Sequence, residues 1–301
     1  MAQAPNLKQR VAFTSWQGWV NHADAALAID DWAVLQGASI VERLRTCGGV
    51  MLDFEQHFSR LESGCAAIGI GGLRQDEICE LAQQCVEQNS AAFAGEDFSI
   101  AIVVTPGRAN AGEGPTLLVH SSPIEWAKLR HWYQHGQILE ISKHRNVPKE
   151  CWSPHLKTRS RLQYFLSDQS VTETFGGSVL LTLRGTLTET SVANILLVEK
   201  GKLVAPPESD TLLGISLART IRLANDAGIE VLFEDISPER AKNAAAIVLT
   251  GSLGCLWGCS QFEGIAVNQN SDGASMVQQL QALWASDIGL DFVAQAHRLT
   301  D

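Results

Sequence analysis

The sequence predicts an α+β fold of two domains, a smaller N-terminal one and a larger C-terminal one. Three observations lead there. The chain has 301 residues, enough for two domains and a sizeable core. Short apolar runs of strand length alternate with longer amphipathic stretches of helical spacing. The pattern then breaks after Ser121-Ser122-Pro123, where a connection is expected.

Composition narrows the function classes. With 45% apolar and 19% charged residues the chain reads as an ordinary globular protein. A net charge of −10 argues against nucleic-acid and anionic-membrane surfaces, because nothing offsets phosphate repulsion. No apolar run approaches the roughly 20 residues needed to span a bilayer, and the first residues carry no hydrophobic segment of signal type. Seven scattered cysteines read as reduced thiols in a cytoplasmic protein. Cys255 and Cys259 lack a second cysteine pair or a nearby histidine, so no metal site is expected.

Taken in order, residues 11–29 read as short strands broken at Gly18. Asp31 can cap a helix-like stretch over 32–46, yet 36–45 also alternates as a strand would, and both readings stay open. Gly48-Gly49 marks a hairpin turn with 50–52 as the returning strand. A helix starting near Asp53 carries Phe54, Phe58, Leu61 and Ile68 on one face, with His57 and Arg60 among its other residues. A second amphipathic helix covers about 74–89. Residues 98–105 form a buried strand ended by Pro106-Gly107, a loop rich in Gly and Ala follows, and 116–120 is another strand. These assignments give an N-terminal domain over 1–122, a connection over 123–134 and a C-terminal domain over 135–301.

The second domain opens with a strand over 137–141, a polar loop to Pro154 and a helix over 156–171. Apolar strands at 178–183 and 195–198 flank the turn Arg184-Gly185-Thr186, where glycine is free to take a positive φ. Beyond them come a strand at 202–205, a loop through Pro206-Pro207 and a helix over 216–227. Strands at 229–233 and 246–249 are joined by a short helix that Ser237-Pro238-Glu239 starts. Helices fill 275–285 and 291–298.

Five features bear on chemistry. Glu189 stands between two apolar strands, and an interior carboxylate is costly unless paired or hydrogen-bonded, so a partner is expected. The local pattern alone reads equally well as a strand-edge surface residue. Lys157, at the expected helix start, is crowded by His155, Arg159 and Arg161, and neighbouring cations favour the neutral amine that imine chemistry requires. By composition alone a solvated basic patch is the plainer reading. Leu213-Gly214-Ile215-Ser216 runs into a helix whose first amides and Ser216 hydroxyl could seat a phosphate, although an ordinary serine cap has the same sequence. Thr250-Gly251-Ser252 offers hydroxyls at a strand end, where ligands of α/β domains often sit. Arg60 follows His57 by three positions on one helix face. An imine-forming lysine, a carboxylate for a pyridine nitrogen and an anion cradle form the inventory for pyridoxal phosphate.

From about Gln17 to Ser260 the chain resembles the class IV aminotransferases, the fold-type IV pyridoxal-phosphate enzymes, which include branched-chain and D-amino-acid aminotransferases and aminodeoxychorismate lyase. The run Gly185-Thr186-Leu187-Thr188-Glu189-Thr190-Ser191-Val192-Ala193-Asn194-Ile195 is similar to the family's Gly-x-Val-x-Glu-x-x-x-x-Asn signature. Lys157 lies 32 residues before Glu189, close to the family's spacing for its lysine. His57-Phe58-Ser59-Arg60-Leu61 matches His-x-x-Arg-Leu, and 31–45 resembles the family's Asp-…-Gly-…-Glu-x-x-Arg segment. The resemblance implies a C-terminal domain with a barrel-like sheet and pyridoxal 5'-phosphate as cofactor. It implies that Lys157 holds the cofactor as an imine and moves the α-proton, that Glu189 faces the pyridine nitrogen, and that Arg60, Ile215, Ser216 and Ser252 hold the phosphate. Arg161 is expected at the cofactor's phenolic oxygen or phosphate.

On the substrate side the chain departs from the family. Gln36 replaces the usual Tyr or Phe, Ala38 the following Asp, and Ala101 stands where branched-chain enzymes carry Arg. Arg108, with Arg43 or Arg45, is left to bind a substrate carboxylate, and Gln36 lines the same region, so branched-chain specificity is not carried over. The resemblance implies transfer of an amino group between a small amino donor and a 2-oxo acid by a homodimer. Pyruvate elimination of the aminodeoxychorismate lyase type is the alternative, slightly favoured by Lys157-x-x-x-Arg161-Leu162, and a catalytically degenerate ligand-binding member is the third.

Overall fold

The computed structural model describes residues 5–110, 112, 114–267 and 271–300. Two compact units emerge from its contacts. The first comprises Met1–Ile124 with Leu156–Ser160, the second Glu125–His155 with Arg161–Asp301.

The first unit holds β1 (Val11–Thr14), β2 (Gly18–Asn21), α1 (Trp32–Gln36), β3 (Ile40–Cys47), β4 (Val50–Met51), α2 (Phe54–Ala67), α3 (Gln75–Asn89), β5 (Ser99–Thr105) and β6 (Thr116–Ser122). Its strands form an antiparallel sheet in the order β2-β1-β6-β5-β3-β4. Both open readings of residues 32–46 are realised in turn. The helix is one short α1, capped by Asp31 Oδ1 accepting from Ala33 N at 2.8 Å and stopped by Gly37 at φ +69°. The strand β3 then takes over. Alternation sends Ile40, Leu44, Ile100, Ile102, Val104 and Val119 to one sheet face. There they pack with Phe58, Leu61 and Cys65 of α2 and Ile78, Ala82 and Cys85 of α3. Val41, Arg43, Ala101, Val103 and His120 occupy the alternate positions, on the other face.

Residues 156–160 overturn the helix expected there. They run extended beside the start of β3, with Thr158 bridged to Ile40 and Val41 N donating to Lys157 O at 2.8 Å. Leu156 packs against the core under α2 and α3, so edge pairing and apolar burial outweigh local helix propensity. The helix begins only at Leu162.

The second unit holds α4 (Trp126–His135), β7 (Gln137–Arg145), α5 (Leu162–Gln169), β8 (Gly177–Leu181), β9 (Leu187–Thr190), β10 (Asn194–Glu199) and β11 (Lys202–Ala205). It continues with α6 (Ile215–Asp226), β12 (Val231–Phe233), α7 (Pro238–Lys242), β13 (Ala246–Gly251), β14 (Cys255–Phe262), β15 (Ile265–Ala266), α8 (Ser271–Ile288) and α9 (Phe292–Arg298). Strands run β12-β11-β10-β13-β14-β7-β8-β9, and β9 pairs back onto β10 through Glu189 and Asn194. That last pairing closes β10, β13, β14, β7, β8 and β9 into a barrel. The chain thus has the α+β architecture with a barrel-like sheet in its larger part. Strands β8 and β13 are buried at every position, which is why their sequences read as nearly unbroken apolar runs.

Helix α4 occupies residues expected to be a connection. Its Trp132 is buried, stacks on Trp257 with ring centroids 4.8 Å apart and donates from Nε1 to Phe175 O at 2.6 Å. Tyr133 donates its hydroxyl proton to Gly254 O at 2.8 Å. Among the described residues, no helix is long and apolar enough to cross a membrane.

Candidate active site

Glu189 lies at the end of β9 with 5% of its surface exposed. The partner demanded by burial exists in three forms. Tyr164 donates its hydroxyl proton to Oε1 at 2.7 Å, and Oε2 accepts from Asn194 Nδ2 and from Leu212 N, each at 3.2 Å. Burial first, then the charge of Glu189, pushes the Tyr164 phenol well above its usual range, so Tyr164 is a neutral donor. Arg161 lies over the Tyr164 ring, 4.4 Å from its centroid, and donates from Nη2 to Ser191 O. That places it beside the loop after Glu189.

Three loops of the second unit converge here. After β9 the chain turns at 190–193, where Thr190 Oγ1 accepts from Ala193 N at 2.9 Å. Asn194 then reaches across to Leu212 O at 2.9 Å. Its Oδ1 occupies the space a side chain at Gly214 would need, so residue 214 has to be glycine. Gly214 is the N-cap of α6 and gives no side-chain cap, which corrects the reading of Ser216 as a possible cap. Ile215 and buried Ser216 open the helix, where the first amides lack intrahelical acceptors.

The end of β13 is fastened to this helix start. Thr250 Oγ1 lies 3.2 Å from Thr220 Oγ1 and donates to Cys255 O at 2.7 Å, while Thr220 Oγ1 donates to Ser216 O at 2.8 Å. Trp284 Nε1 donates to the same Thr220 oxygen at 3.0 Å. A Cβ at Gly251 would stand 2.5 Å from Val192 O, so the strand end and the loop after Glu189 touch through bare backbone. Half-buried Ser252 follows. A hydrogen-bonded carboxylate, a helix N-terminus and a hydroxyl-bearing strand end are therefore one constellation, suited to a ligand with a protonated ring nitrogen and an anionic group.

The first unit carries the other expected residues. Glu42 of β3 is fully buried, with Arg60 donating from Nε to Oε1 and from Nη2 to Oε2, both at 2.7 Å. His57 Nδ1 lies 2.6 Å from Oε2. Burial pushes the Glu42 carboxyl up, but the bonds from Arg60 and His57 outweigh it and hold the carboxyl at about 2. The structure thus places Arg60 in a bidentate pair with a buried carboxylate, and His57 is buried rather than solvent-facing. Lys157 is on the extended segment beside β3.

The substrate-side candidates scatter. Gln36 ends α1 and is exposed. Arg108 forms a part-exposed pair with Asp30, at 2.9 Å from Nε and 3.2 Å from Nη2. Arg45 is 1% exposed, donates to Thr46 O and lies 3.7 Å from Asp97, which removes it as a substrate ligand. Arg43 lies half-buried on the sheet face away from α2 and α3, donating to Ser99 Oγ. Sequence reasoning missed Tyr164 and the joint role of Asn194. A signal for Tyr164 was present, since the chain has only two tyrosines and this one lies three positions after Arg161, within reach on one helix face.

Residues 39–262 match the family model described as amino-transferase class IV. The chain belongs to the class IV amino-transferase family. A Methanocaldococcus jannaschii protein that carries the name putative branched-chain-amino-acid aminotransferase is 24% identical over 266 residues, covering 85% of this chain and 89% of that protein. The T.th. branched-chain amino acid aminotransferase, solved in complex with N-(5'-phosphopyridoxyl)-L-glutamate, superposes with a TM-score of 0.80 at 19% identity, over 95% of this chain and 96% of that one. The 4-amino-4-deoxychorismate lyase of Pseudomonas aeruginosa superposes with a TM-score of 0.77 at 22% identity, over 93% and 99%. At these identities the structural likeness establishes the fold. As a class IV amino-transferase the chain is matched from the start of β3 to the end of β14, a range that holds Glu42, Arg60, Lys157 and all three loops around Glu189.

Proposed function

We propose that this class IV amino-transferase uses pyridoxal 5'-phosphate to move an amino group between an amino acid or related amine and a 2-oxo acid. The observation that carries the reading is the constellation around Glu189, where a buried, hydrogen-bonded carboxylate is tied through Asn194 and Leu212 to a helix N-terminus. The donor set fits the cofactor, and the bare-backbone approach of Gly251 to Val192 leaves that edge of the cradle without a side chain. The phosphopyridoxyl complex of the T.th. relative supports the choice of group.

When bound, pyridoxal phosphate supplies an aldehyde that takes the amine and a ring that accepts the electron pair released at the α-carbon. Glu189 would keep a proton on the pyridine nitrogen, with Tyr164, Asn194 and the Leu212 amide orienting its carboxylate for that task. Ser216, Ser252 and the Ile215 amide hold the phosphate. Arg60, held by Glu42, is the phosphate contact that the family resemblance implies, and Arg161 orders the loop after Glu189 together with Tyr164. The Lys157 amine would hold the cofactor and would be the base that takes and returns the substrate α-proton.

A homodimer in the cytoplasm completes the reading. Leu162 and Phe165 of α5 are 68% and 60% exposed and give an apolar face that a second copy would cover. All seven cysteines are free thiols, as suits a reducing compartment.

Reconstitution tests the proposal. Wild-type protein mixed with pyridoxal phosphate should show the visible band of lysine-bound cofactor and yield a borohydride-trapped adduct, and Lys157→Ala should show neither. An adduct that persists in Lys157→Ala sinks the lysine assignment. Incubation of the loaded protein with amino donors and 2-oxo acids, and separately with aminodeoxychorismate, decides between transamination and pyruvate elimination.

A further inference from the structure

The backbone amide that meets Glu189 lies in a stretch with no regular structure of its own. Residues 211–214 join the single 3₁₀ turn Glu208–Asp210 to α6, and within them Leu212 N reaches Glu189 Oε2 at 3.2 Å. A turn of that length makes too few internal bonds to hold its own place, so groups outside it must fix it. The fastening converges on the Asp210 carboxylate, whose side chain is 5% exposed. Arg184 Nη2 donates to Oδ2 at 2.7 Å, Lys149 Nζ lies 3.5 Å from Oδ1, and Ser209 Oγ donates to the same oxygen at 3.4 Å. Lys149 also donates to Ser209 Oγ at 3.2 Å, and Glu208 O accepts from His155 Nε2 at 2.9 Å.

Arg184 belongs to the turn between β8 and β9, and its Nη2 also meets Asp235 Oδ1 at 3.2 Å. The next residue after Asp235 holds the start of β9, since Leu187 N donates to Ile236 O at 2.8 Å. Arg184 therefore stands on a fixed base, five positions before Glu189, while Asp210 stands two positions before Leu212. Two cross-links, guanidinium to Asp210 and Leu212 amide to Glu189, tie residues 184–189 to residues 210–212 in one closed ring. In so short a ring the first link holds the second pair of groups close together, so losing it loosens the other. We propose that Asp210, clamped by Arg184 and Lys149, is a positioning residue for Glu189, setting the Leu212 N–H against the carboxylate that faces the cofactor's pyridine nitrogen. The assignment rests on the reading of Glu189 as the partner of that nitrogen. It gives the Arg184 turn, which touches no part of the cofactor constellation directly, a role in the chemistry.

The test uses the full chain with Asp210→Asn, which keeps the shape and removes the charge. Hydrogen exchange at the Leu212 amide should run about tenfold faster in D210N, while the amides of β13 keep their protection. Spectrophotometric titration then compares pyridoxal phosphate with 1-deazapyridoxal phosphate, which has carbon in place of the ring nitrogen. D210N should bind pyridoxal phosphate about tenfold more weakly and the deaza compound less than about twofold more weakly, because only the first uses Glu189. A merely structural role for Asp210 would lower both alike. Arg184→Met gives a second route that does not endanger folding, since the Arg184 side chain is 53% exposed. It should show the same selective loss, and Arg184→Lys should recover part of it. Unchanged exchange at Leu212 in D210N, or an equal loss for the two cofactors, overturns the assignment. If wild-type protein itself binds the two cofactors equally well, the reading of Glu189 fails, while exchange at Leu212 still decides whether Asp210 holds that amide.

Discussion

Glu42→Gln is the most direct probe of how the first unit holds Arg60. The carboxyl is held at about 2 against a usual value of 4.5, and its side chain is fully buried. That lowering corresponds to about 3 kcal/mol of stability at neutral pH, at about 1.4 kcal/mol per pH unit. Because the folded-state value lies below the unfolded one, the contribution is fully present above pH 4.5 and is lost as pH falls toward 2. Glutamine keeps the shape, removes the charge and leaves Arg60 and His57 facing a neutral amide, a loss of roughly 3–5 kcal/mol when a buried pair is broken. Urea unfolding followed by hydrogen exchange at β3 and α2 amides should therefore show a wild-type advantage of about 3 kcal/mol or more at pH 7. That gap should hold steady down to about pH 5 and close between pH 4.5 and 2. A gap under about 1 kcal/mol at pH 7, or one that does not change with acid, would refute the reasoning. The same variant should bind pyridoxal phosphate more weakly, since the Arg60 guanidinium loses one of its two 2.7 Å acceptors and the charge behind the other.

Two further substitutions address the second unit. Tyr164→Phe removes the 2.7 Å bond to Glu189, a bond to a charged acceptor worth about 1.5–3 kcal/mol, so spectrophotometric titration should show pyridoxal phosphate bound at least tenfold more weakly; unchanged affinity would mean that Glu189 is held without it. Gly251→Ala would drive a methyl to 2.5 Å from Val192 O, and because that atom is backbone the loop or the strand must move. Destabilisation of about 1–3 kcal/mol in thermal or urea unfolding is expected, with a larger loss in phosphate affinity than in overall stability.

Much of the fold was legible because burial writes plainly in sequence. β8, β10 and β13 each carry an unbroken run of Val, Leu, Ile or Ala (residues 179–181, 195–198 and 246–249), and α2 and α3 keep their apolar residues at helical spacing, so period and length sufficed. Where the reading failed, a distant partner decided. Residues 156–160 look helical beside Leu162 to Gln169, yet β3 offers an open edge and the α2–α3 core takes Leu156. Nothing local announces either. Helix α4 hid for a related reason, since its anchor, Trp132 on Trp257, spans 125 positions. Glu189 was legible as a carboxylate needing partners, and its hydrogen bonds to Tyr164, Asn194 and Leu212 meet that need. The pairing of Arg60 with Glu42 was not legible, because a register of two elements, β3 against α2, determines it.

The two buried carboxylates differ in a way that motif matching does not show. Arg60 donates to both oxygens of Glu42 and His57 faces one of them, so its charge is cancelled where it stands and its work is structural. Glu189 accepts from a phenol, an amide side chain and a backbone amide, so its oxygens are oriented from several elements at once. Asn194 ties that carboxylate to the helix start, because one amide donates to Glu189 and to Leu212 O while its oxygen fills the place of a side chain at Gly214. A displacement of the α6 N-terminus would therefore drag the carboxylate with it. The signature asparagine is a strut between the two ends of the site, which accounts for a polar side chain five positions after the carboxylate in an otherwise apolar strand.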